Sequence, residues 1–170
     1  VYCGWRRYGD ELPNIGEGNL YRAVLSGQNI IITNSIMMWK EDTLKCGGWD
    51  QSLKRHQEAS LLLNYFSLGE TMGRLPEILV EFDVSDRSNA KSINIEKNEE
   101  IILYLINKYK GLIKSKSDET YIYCGRYKGI FYSYILSHSF FKALKTYCKI
   151  VKRYPVAFNK TLLFDIISRI

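Results

Sequence analysis

Hydrophobic and polar positions change rhythm several times along this chain, and each rhythm predicts an element. Residues 1–8 alternate loosely and predict a strand ending at Gly9-Asp10, while 11–18 read as a loop on Pro13, Gly16 and Gly18. A short helix is expected over 19–25, closed by Gly27. The run 30–39 is β-branched and apolar on both faces, which predicts a buried strand with Met37 and Met38 in the core. One helical turn over 41–45 stops at Gly47-Gly48. The clearest helix is 57–68, where Ala59, Leu62, Leu63 and Phe66 fall at i, i+3, i+4 and i+7 and Gly69 ends the run. A strand over 75–84 follows, with Pro76 near its start, where a missing N–H is tolerated. After a polar linker over 85–95, an amphipathic helix is expected over 97–110, with Ile101, Ile102, Leu105, Ile106 and Tyr109 on one face. Past Gly111 come a polar hinge at 114–119 and three helical stretches, 121–136, 139–153 and 160–169, the last two separated by Pro155. The first two of these have the lengths to pair as an antiparallel hairpin, and no repeat of fixed period runs through the chain.

Composition narrows the class. At 170 residues, 46% apolar and 25% charged, the chain is one domain's worth with or without an appendage, and it is not a disordered sequence. No apolar run reaches the roughly 18 residues that a membrane-spanning helix needs. The four cysteines are scattered without Cys-x-x-Cys spacing, and with only two histidines they make a poor zinc set. Such thiols suit a reducing cytosol. The opening Val1-Tyr2-Cys3 has no basic leader region, and a chain starting on Val in apparent mid-strand is expected to be a piece of something longer. The net charge of +6 is uneven: residues 1–110 hold 13 Lys/Arg against 15 Asp/Glu, whereas 111–170 hold 11 against 3 and carry 12 of the 23 aromatics. A basic, aromatic-rich tail predicts an acidic partner surface, with anionic membrane ahead of nucleic acid, for which no groove-reading motif is present. The solvated face of packed helices accounts for the same pattern without any partner.

The most unusual stretch is 47–58, GGWDQSLKRHQE. Gly47 and Gly48 permit positive φ or close backbone approach, Trp49 offers a flat apolar wall, and Asp50, Arg55, His56 and Gln57 crowd polar groups ahead of a helix. Glu58 then opens that helix. A carboxylate in a first helical turn is stabilised by the free N–H groups and the dipole, by about 0.3–1 kcal/mol, whether or not it does chemistry. Beside converging polar groups and an aromatic wall, the same carboxylate has the makings of a general base toward a hydroxyl-bearing ligand.

Residues 35–58, SIMMWKEDTLKCGGWDQSLKRHQE, resemble the second half of a family 2 glycosyltransferase. There an apolar strand ends in Arg or Lys, and a short helix, Gly-Gly-Phe-Asp-Glu-x-Leu, a basic stretch closing in Gln-Asp or Glu-Asp, and a leucine-rich helix follow in that order. Residues 75–80, LPEILV, resemble the family's next strand, and the likeness covers about 1–85. It departs in having Glu58 for the usual Asp, Trp49 for Phe and Gln51 for Glu. The resemblance implies an inverting transfer of sugar from a nucleotide-sugar donor to a glycan or lipid-linked acceptor, in cell-surface polysaccharide assembly on the cytoplasmic face of a membrane. Glu58 would be the base, and Gly47, Gly48, Trp49, Asp50, Arg55, His56 and Gln57 would shape the donor and acceptor sites. A nucleotide-binding half with an Asp-x-Asp metal site is expected ahead of Val1. Asp83-Val-Ser-Asp86 lacks that spacing, so the ligands of the implied Mn or Mg ion would lie mostly outside this chain, which is expected to be inactive alone. The expected fold is α/β: the C-terminal part of a glycosyltransferase A-type domain over 1–90, followed by a basic helical tail over 91–170. The rival expectation is a non-catalytic module, derived from a truncated transferase, that binds a membrane or a partner.

Overall fold

The strand-forming residues at the start of the chain find their main partner some seventy positions later. In the computed structural model, which describes residues 1–7, 10–11, 16–27, 31–81 and 94–155, β1 (Tyr2–Arg7) is the centre of a three-stranded sheet. It runs antiparallel to the short β2 (Asp10–Glu11) and parallel to β3 (Arg74–Glu81). The β1–β3 register runs from Tyr2 opposite Arg74 to Arg6 opposite Glu81 and slips on either side of Gly4. A Cβ at Gly4 would stand 3.0 Å from the Glu77 carbonyl oxygen and 3.1 Å from the Ile78 side chain, so the irregularity depends on the absence of a side chain there.

The remaining elements are helices: α1 (Tyr21–Ser26), α2 (Lys40–Lys45), α3 (Gln57–Ser67), α4 (Ile95–Lys108), α5 (Lys116–Leu136) and α6 (Phe140–Arg153). The molecule is therefore mixed α/β and predominantly helical. α3 buries Ala59, Leu62, Leu63 and Phe66, the face its spacing predicts, together with Ser60 and Leu61. α4 buries Ile102, Leu105 and Ile106, with Tyr109 buried just past its end. α1 ends where Gly27 adopts φ 67° and donates its N–H to the Ala23 and Val24 carbonyls, as left-handed caps do.

Two expectations are corrected. The described part of 30–39 is not a strand: Thr33–Ser35 forms a 3-10 turn, and only Ile36 bridges to Tyr2. Turn chemistry wins locally, since Ser35 Oγ donates to the Ile32 carbonyl at 2.8 Å. Met37 is consequently 68% exposed rather than core. The hinge placed at 114–119 is helix from Lys116 onward, because Ser115 accepts the Asp118 N–H at 3.0 Å and caps α5, with Asp118 and Glu119 favouring the first turn. Of the linker expected over 85–95, residues 85–93 lie outside the described residues, as does the helix expected over 160–169, and Ile95 already opens α4.

α5 and α6 pack on each other, joined by 137–139 with His138 at φ 56°. Glu119 closes the far end of the pair, accepting from Lys116 at 3.0 Å, Arg153 at 3.1 Å and the Tyr154 hydroxyl at 2.8 Å. These partners hold its carboxyl below the usual range, the Tyr154 bond foremost. α5 also packs along α1. One apolar cluster runs from Tyr2 through α1, α3 and α4 to Tyr127, Phe131, Ile150 and Tyr154. Among the described residues, no helix is long and apolar enough to cross a membrane.

Candidate functional site

The entry to α3 is built on backbone strain. His56, its N-cap, adopts φ 60° and ψ 25°, a left-handed conformation that is uncommon outside glycine and that surrounding structure must hold in place. The hold is visible on the side chain: His56 Nε2 lies 2.8 Å from Asn98 Oδ1 on α4. Burial pushes the imidazole pKa down; Asn98 and Glu58 oppose that shift, and the Arg126 and Arg55 cations reinforce it.

Two residues on, Glu58 is half-buried and lines a cavity of about 150 Å³. Val24, Ile31, Ala59 and Leu62 form apolar walls, Gly27 contributes backbone, and among the described residues His56 and Arg126 supply the other polar side chains. The space suits a small group such as a single hydroxyl and its immediate neighbours rather than a whole sugar chain.

Arg126 comes from α5. Its Nε donates to the Leu25 carbonyl at 2.5 Å and its Nη2 to the Val24 carbonyl at 2.7 Å, so the guanidinium caps the C-terminus of α1, where the helix dipole favours a cation. Burial lowers its pKa to about 10, which leaves it charged at neutral pH. A Cβ at Gly27 would collide with Arg126 Nη1, so glycine is needed here twice, for the left-handed cap and for the guanidinium. Among the described residues Arg126 makes no ion pair. The cavity thus holds a carboxylate, an imidazole whose neutral form is favoured, and a buried cation with its third nitrogen against Gly27.

The other residues singled out from the sequence do not line this cavity. Gly47 (φ 84°) and Gly48 (φ 66°) turn the chain at the end of α2, where their N–H groups bond Leu44 and Thr43 carbonyls. Trp49 is 42% exposed and Arg55 is exposed. Asp50 accepts from the Ser52 N–H and hydroxyl, at 3.1 and 2.5 Å, and from Lys108 Nζ at 3.0 Å. Ser52 first and then Lys108 hold its carboxyl below the ordinary value. Gln57 donates to the Leu53 carbonyl at 2.7 Å. These groups fix the loop that carries Glu58; His56 and Glu58 alone of the set meet in the cavity, and Arg126, read from sequence as one cation of a basic tail, joins them. A signal for Arg126 was present: Ile122, Arg126 and Ile130 recur at i, i+4 and i+8, a lone cation within an apolar stripe.

A larger groove of about 380 Å³ lies between Val1, Met37, Trp39, Tyr65 and Met72, with Asp42 as the one carboxylate among the described residues of its lining. Among the described residues no three His, Cys, Asp or Glu side chains converge, so they do not form a set that fits the divalent ion implied by the resemblance. Comparison with protein-family models, with curated proteins and with solved structures finds no match to this chain.

Proposed function

We propose that this chain is the acceptor-side portion of an inverting, family 2-like glycosyltransferase and that Glu58 is its general base. The observation that carries the reading is the placement of Glu58 in the first turn of α3, on a small cavity shared with a buried guanidinium and a His56 ring disposed to stay neutral. In the proposed step the acceptor hydroxyl gives its proton to the Glu58 carboxylate as its oxygen bonds to the anomeric carbon. The bond from that carbon to the nucleotide breaks, and the nucleotide leaves with the electron pair. The Arg126 guanidinium lines the same cavity, and the rigid helix start fixes the position of the carboxylate. The nucleotide-sugar, and the Mn or Mg ion that would accompany it, would be held by a nucleotide-binding half outside this chain. A glycan or lipid-linked acceptor on the cytoplasmic face of a membrane would supply the hydroxyl.

The test uses the full-length protein. Glu58→Gln keeps the size and hydrogen-bonding capacity of the side chain but cannot take a proton, and is expected to lower nucleotide-sugar turnover by about 10²–10⁴-fold, the usual share of a general base. Glu58→Asp, the family's own residue, is expected to retain measurable activity. Turnover unchanged in Glu58→Gln removes the residue from the mechanism.

A further inference from the structure

The α5–α6 hairpin turns apolar side chains toward solvent at its closed end. Leu136 is 80% exposed, and Phe140, Phe141 and Leu144 in the first turns of α6 are 56%, 82% and 59% exposed. α6 already buries a face through Ala143, Thr146 and Ile150, so packing among the described residues gives no reason for a second apolar set on the outside. The outward set is ordered: Phe141, Leu144 with Lys145, Cys148 and Lys152 recur at helical spacing and form one stripe, apolar at the closed end and cationic behind it.

Charge in this region is one-sided. Residues 120–155 contain seven Lys/Arg and no Asp/Glu. Arg126 is engaged on α1 carbonyls, Lys142 and Lys149 on Glu96 and Glu99 of α4, and Arg153 on Glu119. Lys145 and Lys152 make no ion pair among the described residues.

We propose that this face docks on an anionic phospholipid surface, with Leu136, Phe140, Phe141 and Leu144 entering the boundary between headgroups and acyl chains and Lys145 and Lys152 meeting lipid phosphates. A lipid surface offers both things the stripe asks for, fixed anions and an apolar layer directly beneath them. A nucleic acid offers the anions but no layer to receive Leu136 and Leu144. The inference rests on the hairpin surface alone and is independent of the chemistry assigned to Glu58.

Cosedimentation of the full chain with vesicles tests it, comparing phosphatidylcholine alone with a mixture containing about 30 mol% phosphatidylserine. The expected result is pelleting with the anionic vesicles only, weakened about tenfold as NaCl rises from about 0.1 to 0.5 M. Phe141→Ser with Leu144→Ser, and separately Lys145→Gln with Lys152→Gln, are each expected to weaken it by about tenfold or more. Far-UV circular dichroism checks the folds; should the apolar pair disturb folding, the lysine pair carries the test by itself. The proposal is overturned by no pelleting with anionic vesicles, by equal pelleting with neutral ones, by pelleting that the lysine pair leaves unchanged, or by a duplex oligonucleotide binding where vesicles do not.

Discussion

His56 concentrates two tensions in one residue: a left-handed backbone and a ring in surroundings that disfavour its protonated form. The second is testable through pH. Because the folded imidazole titrates below its ordinary value of 6.5, the unfolded chain binds the proton more readily. The contribution of His56 to stability is therefore complete above about pH 6.5 and is lost as pH falls through the lower folded value. Urea unfolding midpoints are expected to drop between about pH 7 and 5, and His56→Gln to flatten that slope. The bonded carboxylates Glu96 and Glu119, also shifted down, act only below their ordinary value of 4.5, so the two windows separate. At this scale the sequence was partly transparent. His56 and Glu58 stood out because polar groups crowd the start of an apolar helix, and they do share a cavity. Asp50, Gln57 and the paired glycines stood out for the same reason, yet they serve the turn, since a turn and a binding loop draw on the same residue types. Arg126 escaped because its place in the apolar stripe of α5 marks it as buried but does not name its partners, two backbone carbonyls about a hundred positions away.

Pairs of elements are joined by particular polar groups within apolar contacts, and α3 and α4 show how. The Tyr109 hydroxyl, at the end of α4, lies 2.7 Å from Asn64 Oδ1 and 3.0 Å from Ser60 Oγ on α3, while its ring is buried in the common cluster. Tyr109→Phe keeps the ring and strands these partners in the interior, an expected loss of about 1–2 kcal/mol. Adding Ser60→Ala is expected to cost less than the two single changes summed, because both remove one shared bond, and a double-mutant cycle by urea unfolding reads the coupling. The helices involved were legible from apolar spacing because each must bury one stripe. The run 30–39 misled because a β-branched apolar stretch satisfies a strand pattern, while Thr33-Asn34-Ser35 within it satisfies a turn. The parallel pairing of β1 with β3 was not legible at all, since register between distant strands is set by the packing around them.

For the whole molecule, the question is whether the basic helical hairpin is an attachment or part of the stability of the rest. The Arg126 guanidinium bridges the two, tying α5 to the last turn of α1, and the side chains around it belong to a single apolar cluster. Arg126→Met keeps apolar volume but leaves the Val24 and Leu25 carbonyls without their charged donors. Each such bond is worth about 1.5–3 kcal/mol, partly offset because a buried cation no longer has to be desolvated, so a net loss of about 2–4 kcal/mol is expected. Arg126→Lys retains the charge but not the fork that reaches two carbonyls, and is expected to fall between. The three tryptophans, Trp5, Trp39 and Trp49, all lie on the early part of the chain, whereas α5 and α6 contain tyrosine and phenylalanine only. Tryptophan fluorescence thus reports the sheet and its loops, and far-UV circular dichroism is dominated by the helices. If the hairpin is integral, the two signals unfold together in the wild type, and Arg126→Met moves both to the same lower denaturant midpoint. A fluorescence transition that stays in place while the helical signal moves would mean that the hairpin unfolds on its own, and Arg126 would then be a local cap of α1 and nothing more.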